Sequence, residues 1–214
     1  MNRPLHLLLL RHGQTDSNAG GILQGHLPVP LNDLGRRQAT ALADRLRDYR
    51  PRVGRLISSD LPRAAQTAEP IADALNLNVT FDDRWRERFL GEFQGKTVGE
   101  RRLWTATSGQ ENPPGAETIE QFEKRVRSAL ESLAPPLDDS PVAVVTHGGP
   151  IRVLLRLLAD GRLRCDDSAP AEVPSIHNCS ILELHRAAGV QWRIGCINDV
   201  SHLAALDVTD ADAG

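Results

Sequence analysis

Two histidines each follow a short apolar segment and precede a glycine. His12 comes after residues 5–10, and His147 comes after residues 142–145. A segment of this length that is almost wholly apolar is typical of a strand buried on both faces of a parallel sheet. Because ligands bind beyond the carboxyl ends of such strands, we expect the two imidazoles to meet in one crevice if the strands are neighbours.

Two arginines can supply positive charge to the same crevice. Arg11 directly precedes His12, and Arg63 follows a second predicted strand at residues 52–59. A guanidinium binds two phosphate oxygens at once. A neutral imidazole can attack phosphorus when its other ring nitrogen donates to a backbone carbonyl. The pattern therefore predicts a phosphate pocket in which His12 is the nucleophile.

The residues around these side chains resemble the histidine phosphatase superfamily, which includes the phosphoglycerate mutases. The resemblance covers nearly the whole chain, and the block 113–118 is most similar to bacterial broad-specificity and alpha-ribazole phosphatases. The other matching blocks, in chain order, are 11–15 with Asn18, Gln24 and Gly25; Pro30, Leu31, Gly35, Gln38 and Ala39; 58–61 with Arg63, Ala64 and 66–68; and 146–148.

The resemblance implies a role for each residue of the pocket. His12 corresponds to the nucleophile that is transiently phosphorylated. Arg11, Arg63 and His147 correspond to the groups that surround the phosphoryl group. Glu87 resembles the acid that protonates the leaving alcohol and later activates water. Further phosphate or substrate contacts are implied for Asn18, Gln24, Gly25 and Gly148.

The sequence around Glu87 departs from the family pattern. Residues 88–90 are Arg, Phe and Leu, where a hydrophobic, an acidic and an aromatic residue are more usual, and Phe93 stands where Trp is common. Arginines at positions 84, 86 and 88 surround Glu87. A solvated ion-pair cluster is therefore the alternative to a catalytic role for this glutamate.

The resemblance implies a phosphomonoester hydrolase, specifically a metal-independent, histidine acid-type phosphatase with no cofactor, acting on small phosphorylated metabolites. A cofactor-dependent phosphoglycerate mutase is the first alternative, because the pockets of mutases and phosphatases barely differ. A regulatory pseudoenzyme that binds phosphorylated ligands is the second, and a protein phosphohistidine phosphatase is the third. The compact chain and the block 113–118 favour the phosphatase.

Strand and helix patterns alternate along the chain. Asn32 is the expected N-cap of the first long helix, and Asp60 is the expected N-cap of the next, with Pro62 in its first turn. Residues 90–117 are rich in glycine and proline and predict an irregular lid over the site. The tail 209–214 is expected to fray.

The alternation predicts an α/β fold with three layers: a doubly wound, mostly parallel sheet with helices on both faces. Two strand patterns, at residues 180–184 and 191–197, predict a C-terminal hairpin. We expect a single histidine phosphatase domain over residues 1–214 with the phosphoglycerate mutase-like architecture that the resemblance also implies.

Composition limits the partners. The chain carries 25 Lys and Arg against 28 Asp and Glu, a formal net charge of −3, so no global positive field favours nucleic acid or an anionic membrane. Its three cysteines match no disulfide or metal-binding spacing, and no segment is long and apolar enough to cross a membrane. We expect a soluble, cytoplasmic protein without a metal site. The sequence is compatible with a homo-oligomer.

Overall fold

The computed structural model describes residues 3–166, 168–187 and 191–206, and these contain one mixed sheet of six strands. The strand order is β3-β2-β4-β1-β5-β6, with parallel pairing from β3 to β1 and antiparallel pairing of β5 with β1 and β6. The strands are β1 (Leu5–Arg11), β2 (Arg55–Ser58), β3 (Val79–Phe81), β4 (Val142–Thr146), β5 (Ile181–Arg186) and β6 (Trp192–Asp199).

Helices cover both faces of the sheet, so the predicted α/β class and layering are confirmed. Helices α2 and α3 pack on one face, and α5 and α6 pack on the other. The helices are α1 (Asp16–Ala19), α2 (Asp33–Arg47), α3 (Pro62–Leu75), α4 (Val98–Ser108), α5 (Ile119–Glu131) and α6 (Gly148–Ala159); short 3-10 turns lie at Asp83–Trp85, Gly91–Phe93 and Ser201–Leu203.

Strand β1 lies in the middle of the protein, which explains its unbroken run of leucines. Leu8 and Leu10 pack toward α2 and α3, while Leu7 and Leu9 pack toward α5 and α6. All four side chains are 0% exposed. Full burial of one leucine side chain contributes about 1.5–3 kcal/mol, so both cores depend on this strand.

Helix α2 has a side-chain N-cap, whereas α3 does not. Asn32 caps α2 as predicted, because its Oδ1 accepts a 2.8 Å hydrogen bond from the amide of Gly35. The prediction that Asp60 caps α3 is wrong: Leu61 occupies the N-cap position without a side-chain hydrogen bond, and Pro62 begins the helix. The carboxylate of Asp60 instead pairs with both Nε and Nη2 of Arg86.

The predicted lid, residues 90–117, contains one regular element that the sequence analysis did not identify. Helix α4 begins after Thr97, whose side chain forms a capping box with Glu100. The rest of the segment is irregular apart from the turn at Gly91–Phe93. The expected frayed tail, 209–214, lies outside the described residues. None of the helices described is long and apolar enough to cross a membrane.

Candidate active site

Adjacent parallel strands bring the two histidines together. Arg11, the last residue of β1, is in register with Thr146, the last residue of β4, so His12 and His147 follow at the same edge of the sheet. Their ring centroids are 5.0 Å apart. Strand β2 pairs with the other side of β4, and this places Arg63, in the first turn of α3, beside the same edge.

His12 is held in the orientation that a nucleophile needs. Its Nδ1 lies 2.7 Å from the carbonyl oxygen of Gly13. Because a carbonyl only accepts hydrogen bonds, Nδ1 carries the proton and Nε2 keeps its lone pair. Nε2 accepts from Nε of Arg63 at 3.3 Å. The nitrogen that is predicted to attack phosphorus therefore lies next to a group that can bind a phosphate oxygen.

Burial keeps both histidines neutral. The pKa of His12 is held well below its usual value, first by burial and then by the positive charges of Arg63 and Arg11. Burial, together with Arg63, also lowers the pKa of His147 well below the ordinary range. Burial lowers the pKa of Arg63 to about 10, which still leaves it charged at neutral pH. The site thus presents neutral imidazoles between guanidinium groups.

Loop carbonyls fix both arginines. Nη2 and Nη1 of Arg63 donate to the carbonyls of Gly25 and Leu27 at 2.8 and 3.1 Å. Nη1 of Arg11 donates to the carbonyl of Ile176. Gly25 has a φ of +50°, and a Cβ there would collide with the side chain of Gln94. This conformation and the lack of space favour a glycine where the loop meets Arg63.

His147 has a partner that the sequence analysis did not assign. Its Nε2 lies 2.9 Å from Oγ of Ser59, the residue that follows β2. Its Nδ1 is buried and has no hydrogen-bond partner among the described residues. Ser59 belongs to the block 58–61 that resembles the histidine phosphatase superfamily. Only the pairing of β2 with β4 shows that its hydroxyl reaches the imidazole.

Glu87 lies at the N-terminus of α6. Its Oε2 accepts a 3.0 Å hydrogen bond from the amide of Gly149, and its Oε1 accepts a 2.9 Å bond from the amide of Arg88. A Cβ at position 149 would overlap this carboxylate. The helix dipole favours negative charge here. The carboxylate also acts on Arg63 across the pocket by raising its pKa.

The arginines near Glu87 in sequence pair with other groups. The guanidinium of Arg84 binds Asp82, and that of Arg86 binds Asp60. Nη2 of Arg88 donates to Asn112 at 2.6 Å. The described residues therefore do not form the ion-pair cluster that was the alternative role for Glu87.

These groups surround a pocket of about 530 Å³. The predicted site residues other than His147 all line it, and the ring of His147 contacts that of His12. Oε1 of Gln24 is buried and has no hydrogen-bond partner in the part of the chain that the structure describes. The residues brought together are Arg11, His12, Asn18, Gln24, Gly25, Arg63, Glu87 and Gly148.

A sequence model of one family matches residues 7–200, nearly the whole chain, and its description is the histidine phosphatase superfamily (branch 1). This chain belongs to the histidine phosphatase superfamily. The match is consistent with the order of strands and the site geometry described above.

Similar proteins within the superfamily include phosphatases. The chain is 36% identical to phosphoglycerate mutase-like protein 4 of Arabidopsis thaliana, over 92% of this chain and 86% of that protein. It is 33% identical to the metal-independent phosphoserine phosphatase of the same plant, over 94% and 84% of the two chains. A solved structure of mycobacterial glucosyl-3-phosphoglycerate phosphatase with VO3 has a TM-score of 0.75 at 32% identity, over 91% of this chain and 99% of that one.

In this histidine phosphatase, Arg125 on α5 positions the segment that carries Glu87. Its Nη1 donates to the carbonyls of Arg84 and Arg86 at 2.8 and 2.9 Å, and its Nη2 donates to the carbonyl of Glu87 at 3.1 Å. An ion pair with Glu117 at 2.7 Å holds the guanidinium in place. Sequence pattern gave no signal for this role, because Arg125 lies far from Glu87 along the chain.

Replacing Arg125 with glutamine should lower kcat about 10²-fold, because a displacement of about 1 Å at a catalytic group has that effect. KM should change much less, since Arg11 and Arg63, the predicted phosphate contacts, are untouched. Steady-state kinetics with an alkyl phosphate measures both values. Arg127→Gln is the matched control, since that exposed side chain on the same helix donates to the carbonyl of Arg162. Equal effects of the two substitutions would contradict the positioning role.

The outer part of the pocket carries further positive charge that the sequence analysis did not identify. Arg88 and Arg101 line the lid side, and Arg152 and Arg156 line the side formed by α6. Nη2 of Arg152 lies 3.1 Å from where a Cβ of Gly148 would be, so this guanidinium reaches the helix N-terminus. Glu111 also lines this region. The outer part of the pocket is therefore rich in arginine.

Proposed function

We propose that this chain is a metal-independent phosphatase that hydrolyses small phosphorylated metabolites through a phosphohistidine on His12. The observation that carries the proposal is the state of His12: buried, neutral, with Nδ1 fixed on the Gly13 carbonyl and Nε2 beside Arg63. The names of the similar proteins support hydrolysis of phosphate monoesters as the reaction.

The reaction proceeds in two displacements. Arg11 and Arg63 bind the phosphoryl oxygens, and Nε2 of His12 attacks phosphorus as the bond to the ester oxygen breaks. Glu87 donates a proton to that oxygen, so an alcohol leaves. Water then attacks phosphohistidine and gives its proton to Glu87, the phosphorus–nitrogen bond breaks, and inorganic phosphate is released with His12 restored.

We propose that the substrate carries a second anionic group beyond its phosphate. The arginines of the outer pocket, Arg88, Arg101, Arg152 and Arg156, support a carboxylate or similar group in the leaving portion. The names of two similar proteins specify phosphoserine and glucosyl-3-phosphoglycerate, which both contain a carboxylate beside a phosphate ester.

We propose a cytoplasmic location and a small metabolite, rather than nucleic acid or a membrane, as the partner. The near-balanced charge of the chain and its free cysteines, Cys165, Cys179 and Cys196, support this setting. Assembly into a homo-oligomer is compatible with the proposal and is tested by the molar mass in solution.

Phosphate release in the presence of a chelator tests the function. Purified protein is incubated in EDTA with p-nitrophenyl phosphate, O-phospho-L-serine or O-phosphoethanolamine, and separately with 3-phosphoglycerate plus bisphosphoglycerate primer. We expect metal-independent release, with kcat/KM at least about tenfold higher for phosphoserine than for phosphoethanolamine, since a carboxylate paired with arginine contributes at least about 1.5 kcal/mol.

Each other outcome favours a different function. Primer-dependent isomerisation with little phosphate release would identify a phosphoglycerate mutase. Phosphate binding without turnover on any substrate would favour the regulatory binder. Loss of activity in EDTA that magnesium restores would contradict the metal-independent mechanism.

A further inference from the structure

A second cluster of chemically active side chains lies at the other end of β1 from His12. His6 on β1 is directly opposite His185 on β5, and Glu183 is two residues earlier on β5, so the three side chains share one face of the sheet. One ligand atom from each residue lies within 4.8 Å of the other two.

All three side chains converge on one point. Nε2 of His6 is 2.8 Å from Oε1 of Glu183, and Nε2 of His185 is 3.0 Å from the same oxygen. The two imidazoles stack with centroids 4.2 Å apart. Two imidazole nitrogens and a carboxylate oxygen are the ligand set of zinc sites that keep an open coordination position.

We propose that His6, Glu183 and His185 bind a divalent transition-metal ion of the zinc type, with water completing the coordination. Ligand atoms around a tetrahedral zinc ion lie roughly 3.4 Å apart, given metal–ligand distances of about 2.1 Å. The two Nε2–Oε1 distances, 2.8 and 3.0 Å, are slightly shorter. For a metal ion to enter, these two nitrogen–oxygen distances must therefore lengthen by about 0.4–0.6 Å.

The surroundings of Glu183 support a built site. The hydroxyl of Tyr49, just beyond α2, donates to Oε1 of Glu183 at 2.7 Å, as outer groups do when they orient a metal-binding carboxylate. Gly195 on β6 leaves the space that the carboxylate occupies, because a Cβ there would be 2.8 Å from Cδ of Glu183. The other carboxylate oxygen of Glu183, Oε2, is 3.9 Å from Sγ of Cys196.

The site is separate from the phosphatase pocket. His6 and His12 are six positions apart along an extended strand, which corresponds to about 20 Å. Metal at His6 therefore stabilises the pairing of β1 with β5 and takes no part in phosphoryl transfer. Phosphatase activity should be the same with and without the ion, so the proposal stands or falls independently of the proposed function.

Zinc binding to the tag-free, full-length protein tests the proposal. Protein stripped with EDTA and desalted is titrated with Zn²⁺ against a chromophoric chelator, and Co²⁺ binding is followed by visible absorption. Wild type should bind one ion per chain with a tetrahedral cobalt spectrum and a raised Tm. His185→Asn and Glu183→Gln should weaken binding by more than the roughly 10- to 100-fold that loss of an outer partner costs.

Two further variants distinguish loss of a metal ligand from the effect of replacing any histidine or any residue near the site. His202→Asn removes a histidine outside the cluster and should bind zinc like wild type. Tyr49→Phe removes a hydroxyl that donates to Glu183 and lies 3.2 Å from Nε2 of His6, but it removes none of the three ligands. It should weaken binding about 10- to 100-fold while keeping one ion per chain. No saturable binding by wild type, or equal binding by His185→Asn and His202→Asn, would overturn the proposal in favour of a metal-free hydrogen-bonded cluster.

Discussion

Replacing His12 with alanine is expected to lower kcat for phosphate release by at least about 10⁴-fold, since loss of a nucleophile that acts together with its neighbours removes nearly all of the chemical rate enhancement. The substitution removes the nitrogen that forms the covalent bond to phosphorus. Arg11, Arg63 and His147 remain, so the variant should still bind inorganic phosphate. Steady-state kinetics measures kcat, and calorimetric titration with phosphate measures the affinity for inorganic phosphate.

The covalent intermediate provides a second measurement. Wild type quenched in alkali during turnover of a ³²P-labelled substrate should carry label that acid releases, as a phosphohistidine does, and His12→Ala should carry none. His202→Asn is the matched control and should retain both activity and label. Residual turnover above about a hundredth of the wild-type rate in His12→Ala would show that water attacks the substrate directly, with His12 only binding phosphate.

The position of the histidine pair could be predicted from sequence because it depends on two buried strands. The segments before His12 and His147 are apolar apart from His6 and the terminal Arg11 and Thr146. Such segments are typical of strands in the interior of a sheet that is covered on both faces. Once β1 and β4 are neighbours, the register fixes the two residues that follow them. Local pattern and topology therefore agree at this part of the site.

The fold prediction was wrong where tertiary contacts override a local sequence signal or where that signal is weak. Asp60 is a good N-cap by type, but the guanidinium of Arg86 binds both of its oxygens. Helix α4 has a capping box at Thr97 and Glu100, yet it buries no residue and leaves Leu103 67% exposed. Without a buried apolar stripe, hydrophobic periodicity gives no sign of such a helix.

The unpredicted parts of the site come from side chains whose direction depends on packing. Ser59 reaches His147 only because β2 pairs with β4. Arg125 reaches three backbone carbonyls of the segment before α4 because α5 packs against the turn at Asp83–Trp85. Arg101 lines the pocket from α4, the helix that the pattern did not reveal. Sequence motifs therefore identify the site residues at strand ends. The residues that the lid and the outer pocket contribute can be identified only from the folded structure.

Replacing Glu87 with glutamine should affect two substrates differently, because the two displacements use this residue in different ways. An alkoxide such as that of serine needs a proton to leave, so kcat for O-phospho-L-serine should fall about 10²- to 10⁴-fold. The p-nitrophenolate ion leaves without a proton, so formation of phosphohistidine from p-nitrophenyl phosphate should stay fast. Hydrolysis of that intermediate still needs Glu87 to take a proton from water.

The Glu87→Gln variant should therefore release one p-nitrophenol per chain in a rapid burst and then turn over slowly, and rapid-mixing absorbance records both phases. Glutamine keeps the shape of the side chain and can still accept the amide of Gly149. Glu92→Gln, a change at an exposed glutamate nearby in the chain, should behave like wild type. Equal losses on both substrates without a burst would show that Glu87 only organises the pocket, since a pure acid and base cannot slow a step that transfers no proton.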